Sequence, residues 1–198
     1  DYKKYLTVKK SGFRRETGYM IPYGDSPFDH ENVGEEVYFH ILNHAKKYVH
    51  IMTPYLILDS EMITALTRAA KCGIEVIIIM PGIPDKPYAF YLAKTYYAEL
   101  LEKGVQIYEY TPGFVHAKVF TSDDDTATVG TINLDYRSLC LHFECGVFMY
   151  RTKAVMQVKE DTLETFKKCH EVTAEECQNK HFLVRTFMGA LKLFAPLL

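Results

Sequence analysis

The segment Ile74–Met80, IEVIIIM, limits the fold of this chain more than any other. A strand with one wet face alternates polar and apolar residues, so a run this continuous predicts a central strand covered on both sides. Helix signals stand on either side of it. Asp59 or Ser60 can cap a helix running through Lys71, with Met62, Ile63, Leu66 and Ala70 facing inward and Gly73 closing it. Pro87 suits the first turn of a helix reaching Lys103, after which Val105–Tyr110 reads as a strand. Upstream, Glu35–Lys47 reads as a helix with Val37, Ile41 and Leu42 on its apolar stripe, followed by a strand from Tyr48 to Thr53. This alternation predicts parallel crossovers and an α/β fold with a largely parallel central sheet. With 198 residues and 48% hydrophobic content, the chain can bury the core of one domain. Residues 1–33 lack sustained periodicity and carry turn signals at Pro22 to Asp25 and at Ser26-Pro27. They are expected to be an arm and linker, with the domain proper at 34–198.

The chemistry concentrates in residues 114–139, FVHAKVFTSDDDTATVGTINLDYRSL. On a strand, Phe114, His116, Lys118 and Phe120 share one face while Val115, Ala117 and Val119 share the other. An imidazole and an ammonium group therefore point together into a cleft. A neutral imidazole can attack phosphorus or relay a proton, and a fixed cation stabilises charge on phosphoryl oxygens without a metal. Asn133 offers an amide donor, and Thr131 and Asn133 together can line a phosphate pocket. Glu144 can hold the second ring nitrogen of His116 and so select its tautomer. Asp123 lies in a run of three aspartates, where a turn role through side-chain to backbone bonds competes with direct chemistry. Arg137 can bind a second phosphate or brace its own loop.

Local patterning puts these residues on a hairpin: Val115–Thr121, a turn through Asp123 to Asp125, then Thr126–Gly130. Residues 141–150 read as a strand with His142, Glu144 and Gly146 on one face. A helix from about Thr152 to His170 and an amphipathic segment from Phe182 to Phe194 complete the pattern. His40 and His44 stand four apart on a helix, a spacing compatible with metal, but no acidic or cysteine partner at diagnostic spacing joins them, so no metal site is expected. The five cysteines form no CxxC and read as reduced, small core residues.

HAKVFTSD followed by GTIN resembles the HxKxxxxD and GSxN motifs of the phospholipase D superfamily, with Thr131 in place of the usual serine. The longer series GYMIPYGDSPFD, TPYLILD, PGIPDKPYAF, GVQIYEYTPGFVHAK, VGTINLDYRSL and HFECGVFMY is similar to the carboxy-terminal half of the bacterial cardiolipin synthases, over roughly residues 19–198. That resemblance implies an α/β/α sandwich whose mixed, largely parallel sheet is flanked by helices, and no cofactor. It implies catalytic His116, Lys118, Asp123 and Glu144, with phosphate held by Lys118, Thr131 and Asn133. It further implies phosphatidyl transfer between two phosphatidylglycerol molecules through a phosphohistidine, giving cardiolipin and glycerol. Two motif copies face one another in that family and only one exists here. The other half of the same enzyme, or a second copy of this chain, is therefore expected as partner. With the amino-terminal histidine of such a pair as nucleophile, His116 would be the acid and base.

Charge helps to separate the alternatives. Residues 84–120 balance Lys86, Lys94, Lys103 and Lys118 against Asp85, Glu99, Glu102 and Glu109. Nucleic acid wants a clustered basic surface, so a homodimeric nuclease ranks second and no nucleic-acid partner is expected. Both termini are locally basic, and the apolar face of 182–194 fits either its own domain or an anionic membrane surface. No apolar run is long enough to span a bilayer. The chain is expected to be soluble, with its parent at the cytoplasmic side of the cell membrane. A third reading is a silent module that only docks its partner half or a membrane.

Overall fold

A computed structural model describes residues 3–6 and 17–178. Along the chain run α1 (Lys3–Leu6), β1 (Tyr19–Asp25), α2 (Val33–His44), β2 (Tyr48–Met52), β3 (Leu56–Ile57), α3 (Ser60–Lys71), β4 (Glu75–Pro81), α4 (Pro87–Glu102) and β5 (Gln106–Tyr110). Then follow β6 (Val119–Ser122), β7 (Thr126–Gly130), β8 (Leu134–Asp135), α5 (Tyr136–Cys140), β9 (Glu144–Tyr150), α6 (Lys153–Phe166), β10 (Cys169–Glu171) and α7 (Ala174–Gln178). Eight strands form one sheet in the order β1-β9-β7-β6-β2-β4-β5-β10, and β3 pairs with β8 in a second, two-stranded sheet.

The α/β class expected from the sequence is present, and Ile74–Met80 corresponds to the central strand β4, buried from Val76 through Pro81. The sheet is not largely parallel. Only β2–β4 and β4–β5 are parallel pairs in it, and the other five neighbouring pairs are antiparallel. The reason is connectivity. Helical crossovers through α3 and α4 keep β2, β4 and β5 pointing one way, whereas β6 and β7 are joined by a tight turn that reverses the chain.

A second difference falls inside the expected arm. Tyr19–Asp25 is an edge strand paired antiparallel with β9 along its whole length, from Tyr19 opposite Tyr150 to Asp25 opposite Glu144. Its apolar residues Tyr19, Met20 and Ile21 are all exposed, so no alternation betrays the strand in the sequence. Pro22 is tolerated because an edge strand can spare an amide donor. Asp25 then does what Asn32, the residue preceding α2, does not: its Oδ2 accepts the amide of Gly34 at 2.7 Å, capping α2 from outside.

The helices otherwise start and stop within a few residues of expectation, and Asp59 is the cap of α3, accepting the amide of Met62 at 2.7 Å. The helix expected to reach His170 ends at Phe166, because Cys169–Glu171 leaves it to pair with β5 as the far edge strand. Residues 182–194 lie outside the described residues.

The larger core fills the side of α2, α3 and α4, while α6 packs over a smaller one that includes Met52, Ile77, Ile79 and Val119. Tyr38 stacks on Phe120 with ring centroids 4.0 Å apart, and its hydroxyl donates to the carbonyl of Ile132 at 2.6 Å. A buried helix residue thereby fixes the loop that carries Thr131 and Asn133. The same loop is tied to the end of β2, where the Leu134 amide donates to Thr53 Oγ1 at 3.1 Å. Cys72 and Cys145 are exposed rather than core residues, and the other three cysteines are partly buried.

Candidate active site

The carboxyl ends of β2 and β4 meet the start of β6, the end of β7 and the approach to β9, because Met52 pairs with Val119 and Gly130 with Gly146. Loops at such an end are free to hold polar groups that the packed sheet cannot. Gly130 is required at this junction: a Cβ there would stand 2.4 Å from the carbonyl oxygen of Cys145.

His116 and Lys118 lie on the extended segment leading into β6 rather than inside the ladder, which starts at Val119. The two-residue spacing nevertheless brings them together. Lys118 Nζ stands 3.0 Å from each ring nitrogen of His116 and donates to the His116 carbonyl at 2.8 Å. Lys118 is buried while His116 is exposed, so the cation is held from below and the ring faces solvent. Burial, and then the neighbouring ammonium, push the His116 imidazole below its ordinary value; Asp85 opposes them. Both effects favour the neutral ring, the form that can accept a proton. Burial lowers the Lys118 ammonium as well, against the fields of Glu144 and Asp135.

Glu144 has different neighbours from those the sequence suggested. Its carboxylate accepts a short hydrogen bond from the Thr131 hydroxyl and lies 3.7 Å from His142 Nδ1. Among the described residues no hydrogen bond joins it to His116. Its reach toward the His116–Lys118 pair is electrostatic, through Lys118. The hydroxyl of Thr131 also accepts the Cys145 amide at 3.0 Å, so it is tied to β9.

Asp123 stands apart from His116 and Lys118. It sits at the hairpin tip with a φ of 52°, at the opposite end of β6 from His116. Its carboxylate accepts the amides of Lys46, Lys47 and Tyr48 at 2.6, 2.9 and 3.1 Å. This is a backbone clasp between the hairpin and the α2–β2 turn.

Asn133 donates to Ser138 Oγ at 2.9 Å, while its buried Oδ1 has no partner. No hydrogen bond links it to His116 or Lys118 among the described residues. It lines a cavity of about 140 Å³ together with Tyr55, Lys86, Asp135, Arg137 and His142. Sequence reasoning missed Tyr55, Asp85 and Lys86. Their signal was positional, since they follow β2 and β4 on loops at the carboxyl ends of parallel strands. Tyr55 donates to Asp85 at 2.8 Å, and ring contacts run from Tyr55 to Phe114 and from Phe114 to His116. The Phe114 ring thus links the cavity's Tyr55 to His116.

His40 and His44 remain an exposed helical pair with ring centroids 4.1 Å apart. Among the described residues no group of three or more His, Cys, Asp or Glu is placed to hold a metal ion. No helix among them is long and apolar enough to cross a membrane.

Residues 38–166 match the family model described as cardiolipin synthase, PLD-like domain. The chain belongs to this family. Over 194 residues, 98% of the chain, it is 34% identical to a cardiolipin synthase of Halalkalibacterium halodurans, yet it spans only 38% of that relative's length. In fold it resembles the phosphatidylserine synthase of Haemophilus influenzae, with a TM-score of 0.76 at 17% identity, covering 100% of this chain and 53% of that one. It also resembles Nuc, a phospholipase D family member of Salmonella typhimurium, with a TM-score of 0.66 at 16% identity, covering 78% of this chain and 98% of that one. The phospholipase D-like fold expected from the motifs is therefore present, with the sheet corrected as above.

Proposed function

We propose that this chain supplies one half of the active site of an enzyme that transfers a phosphatidyl group from one phosphatidylglycerol to another, giving cardiolipin and glycerol. The observation that carries this reading is the buried Lys118 ammonium held 3.0 Å from the ring nitrogens of an exposed His116 whose imidazole is biased toward neutrality. A lipid phosphodiester brings a negative charge to that ammonium and its leaving oxygen to that ring. In the first step one imidazole nitrogen attacks phosphorus, the phosphorus–oxygen bond to glycerol breaks, and the departing oxygen takes a proton from a second imidazole. In the second step the hydroxyl of another phosphatidylglycerol gives its proton to that second imidazole and displaces the first from phosphorus. His116 fills one of these roles, that of acid and base: a bound phosphodiester's negative charge offsets Lys118 and favours the imidazolium that gives the proton in the first step, and the neutral ring takes a proton in the second. The other belongs to a second motif on the opposite side of an in-line displacement, since one ring cannot act from both sides. Lys118 neutralises the phosphoryl oxygens throughout, and Thr131, Asn133 and Glu144 shape the loop around them.

A second arrangement pairs the motifs of two copies of this chain, since one half-site cannot act from both sides of the phosphorus. The parent is expected at the cytoplasmic face of the membrane, where its lipid substrate lies. The test is turnover on phosphatidylglycerol vesicles by the chain alone and by the chain joined to a second motif-bearing half, each with His116 intact and with His116→Asn. Glycerol release and cardiolipin formation by the joined protein, lost with His116→Asn, is the expected result. Turnover by the chain alone selects the homodimer. Plasmid nicking without glycerol release, or no turnover in the joined protein, overturns the proposal.

A further inference from the structure

Transfer to an anionic acceptor makes a demand that hydrolysis does not. The attacking hydroxyl of phosphatidylglycerol sits on a three-carbon headgroup whose other end carries the acceptor's own phosphodiester. Two monoanions must therefore approach within a glycerol's length of each other. A single cation at the reacting phosphorus leaves that repulsion uncompensated, and the field between the two is strongest where water is displaced. This argument rests on the reading of His116 and Lys118 given above.

We propose that the cavity beside the catalytic pair is the subsite for the acceptor's phosphodiester, held by Lys86, Arg137 and His142 with Asn133 at its floor. Lys86, Arg137 and His142 all line it, on α4's approach, on α5 and on the loop before β9. Among the described residues neither Lys86 nor Arg137 has a carboxylate within ion-pair distance; Lys86 only overlies the Tyr55 ring at 5.8 Å. The one acid in the lining, Asp135, is already committed, accepting the Ser138 amide at 2.7 Å, and burial raises its carboxyl above the ordinary value. Lys86 and Arg137 face a single carboxylate in the lining, Asp135, so the lining carries more cationic than anionic side chains. The cavity is small, about 140 Å³, which suits a phosphodiester group rather than a lipid body. Exposed Tyr88 on α4 lines the cavity and offers apolar area to the glycerol stem. The fork of Arg137 can take two phosphate oxygens at once, and Lys86 adds a point charge. His142 lies 3.7 Å from Glu144, whose other oxygen takes the Thr131 hydroxyl, so an anion bound at His142 is also coupled to the loop next to Lys118.

The experiment is a titration of the chain with glycerophosphoglycerol, the deacylated headgroup, and in parallel with inorganic phosphate. It follows the His142 and His116 ring signals by nuclear magnetic resonance. The native chain should bind glycerophosphoglycerol more tightly than inorganic phosphate at His142. The double variant Lys86→Gln, Arg137→Gln should weaken it there at least tenfold, while Arg137→Lys alone keeps most of the affinity. Binding within twofold of native in the double variant overturns the subsite, as does a preference for inorganic phosphate. Lys118→Gln is read separately at His116: if it leaves the His116 response intact, the catalytic reading fails, and the His142 result still stands or falls by itself.

Discussion

The two ends of the β6–β7 hairpin come from one eight-residue motif and are put to opposite uses. At the start of β6, the buried Lys118 ammonium has, among the described residues, no carboxylate within ion-pair distance and lies 3.0 Å from the ring nitrogens of a solvent-facing imidazole. At the tip, every aspartate is engaged. Asp123 takes three backbone amides, Asp124 takes the Tyr48 hydroxyl and Lys159, and Asp125 accepts from Thr126 and lies near Arg151. One end leaves its ammonium and imidazole to each other, and the other uses its carboxylates to hold the backbone. In the proposed function the histidine and lysine of the motif serve chemistry, while its aspartate is bound into architecture.

The comparison breaks most visibly under substitution at the chemical end. His116→Asn or Lys118→Gln should each lower phosphatidyl transfer by a factor on the order of a thousand or more, because each removes a group that acts on the reacting phosphorus. Circular dichroism of the variants should keep the native signature. An equal loss of turnover in Asp123→Ala with unchanged stability would erase the distinction between the two ends.

At the tip the expected loss is in stability. Asp123→Ala strands three amides and leaves a non-glycine residue at positive φ, which should cost about 1–3 kcal/mol in urea unfolding. Turnover per folded molecule should stay within tenfold of native. A variant as stable as the native chain would remove Asp123 from the architecture.

Smaller effects come from pH. With Lys118→Gln, the repulsion that helps hold the His116 imidazole down is gone, so its titration midpoint should rise toward the ordinary 6.5 without passing it, since burial still opposes charge. A proton titration of the ring checks this, and a midpoint that falls would mean Lys118 is not the nearby cation. Asp124 gives the opposite sign of dependence. Hydrogen bonds from Lys159 and Tyr48 hold its carboxyl below the ordinary 3.8, so its contribution is complete above that value and is lost as pH falls through the folded midpoint. Because the pair is exposed the effect is slight, and Asp124→Asn should flatten only the acid limb of a stability profile. A flattening near neutral pH instead would place a different group at work.

Much of the fold was legible because its signals are local. Central strand β4 announced itself by an unbroken apolar run, α3 by Asp59 and Gly73, and the two ends of the hairpin by alternation and three aspartates. Edge strands were not legible. β1 is held by pairing with β9 and exposes Tyr19, Met20 and Ile21, and β10 is three residues long, so neither leaves a pattern of burial to read. The sheet's direction failed for the same reason, because strand order depends on which edges meet and not on any one segment.

In the site, two-residue spacing sufficed to bring His116 and Lys118 together, since a strand's geometry carries side chains i and i+2 to the same face whatever surrounds them. That much the sequence determined alone, along with the family to which the motifs belong. Only the tertiary structure decided that Glu144 answers to Thr131 and His142, that Asp123 clasps a turn some 75 residues earlier in the chain, and that Tyr55, Lys86, Arg137 and His142 enclose one cavity. Those relations join distant segments through packing, and the free energy that selects them is a property of the assembled sheet and its loops, to which no single stretch of residues gives access.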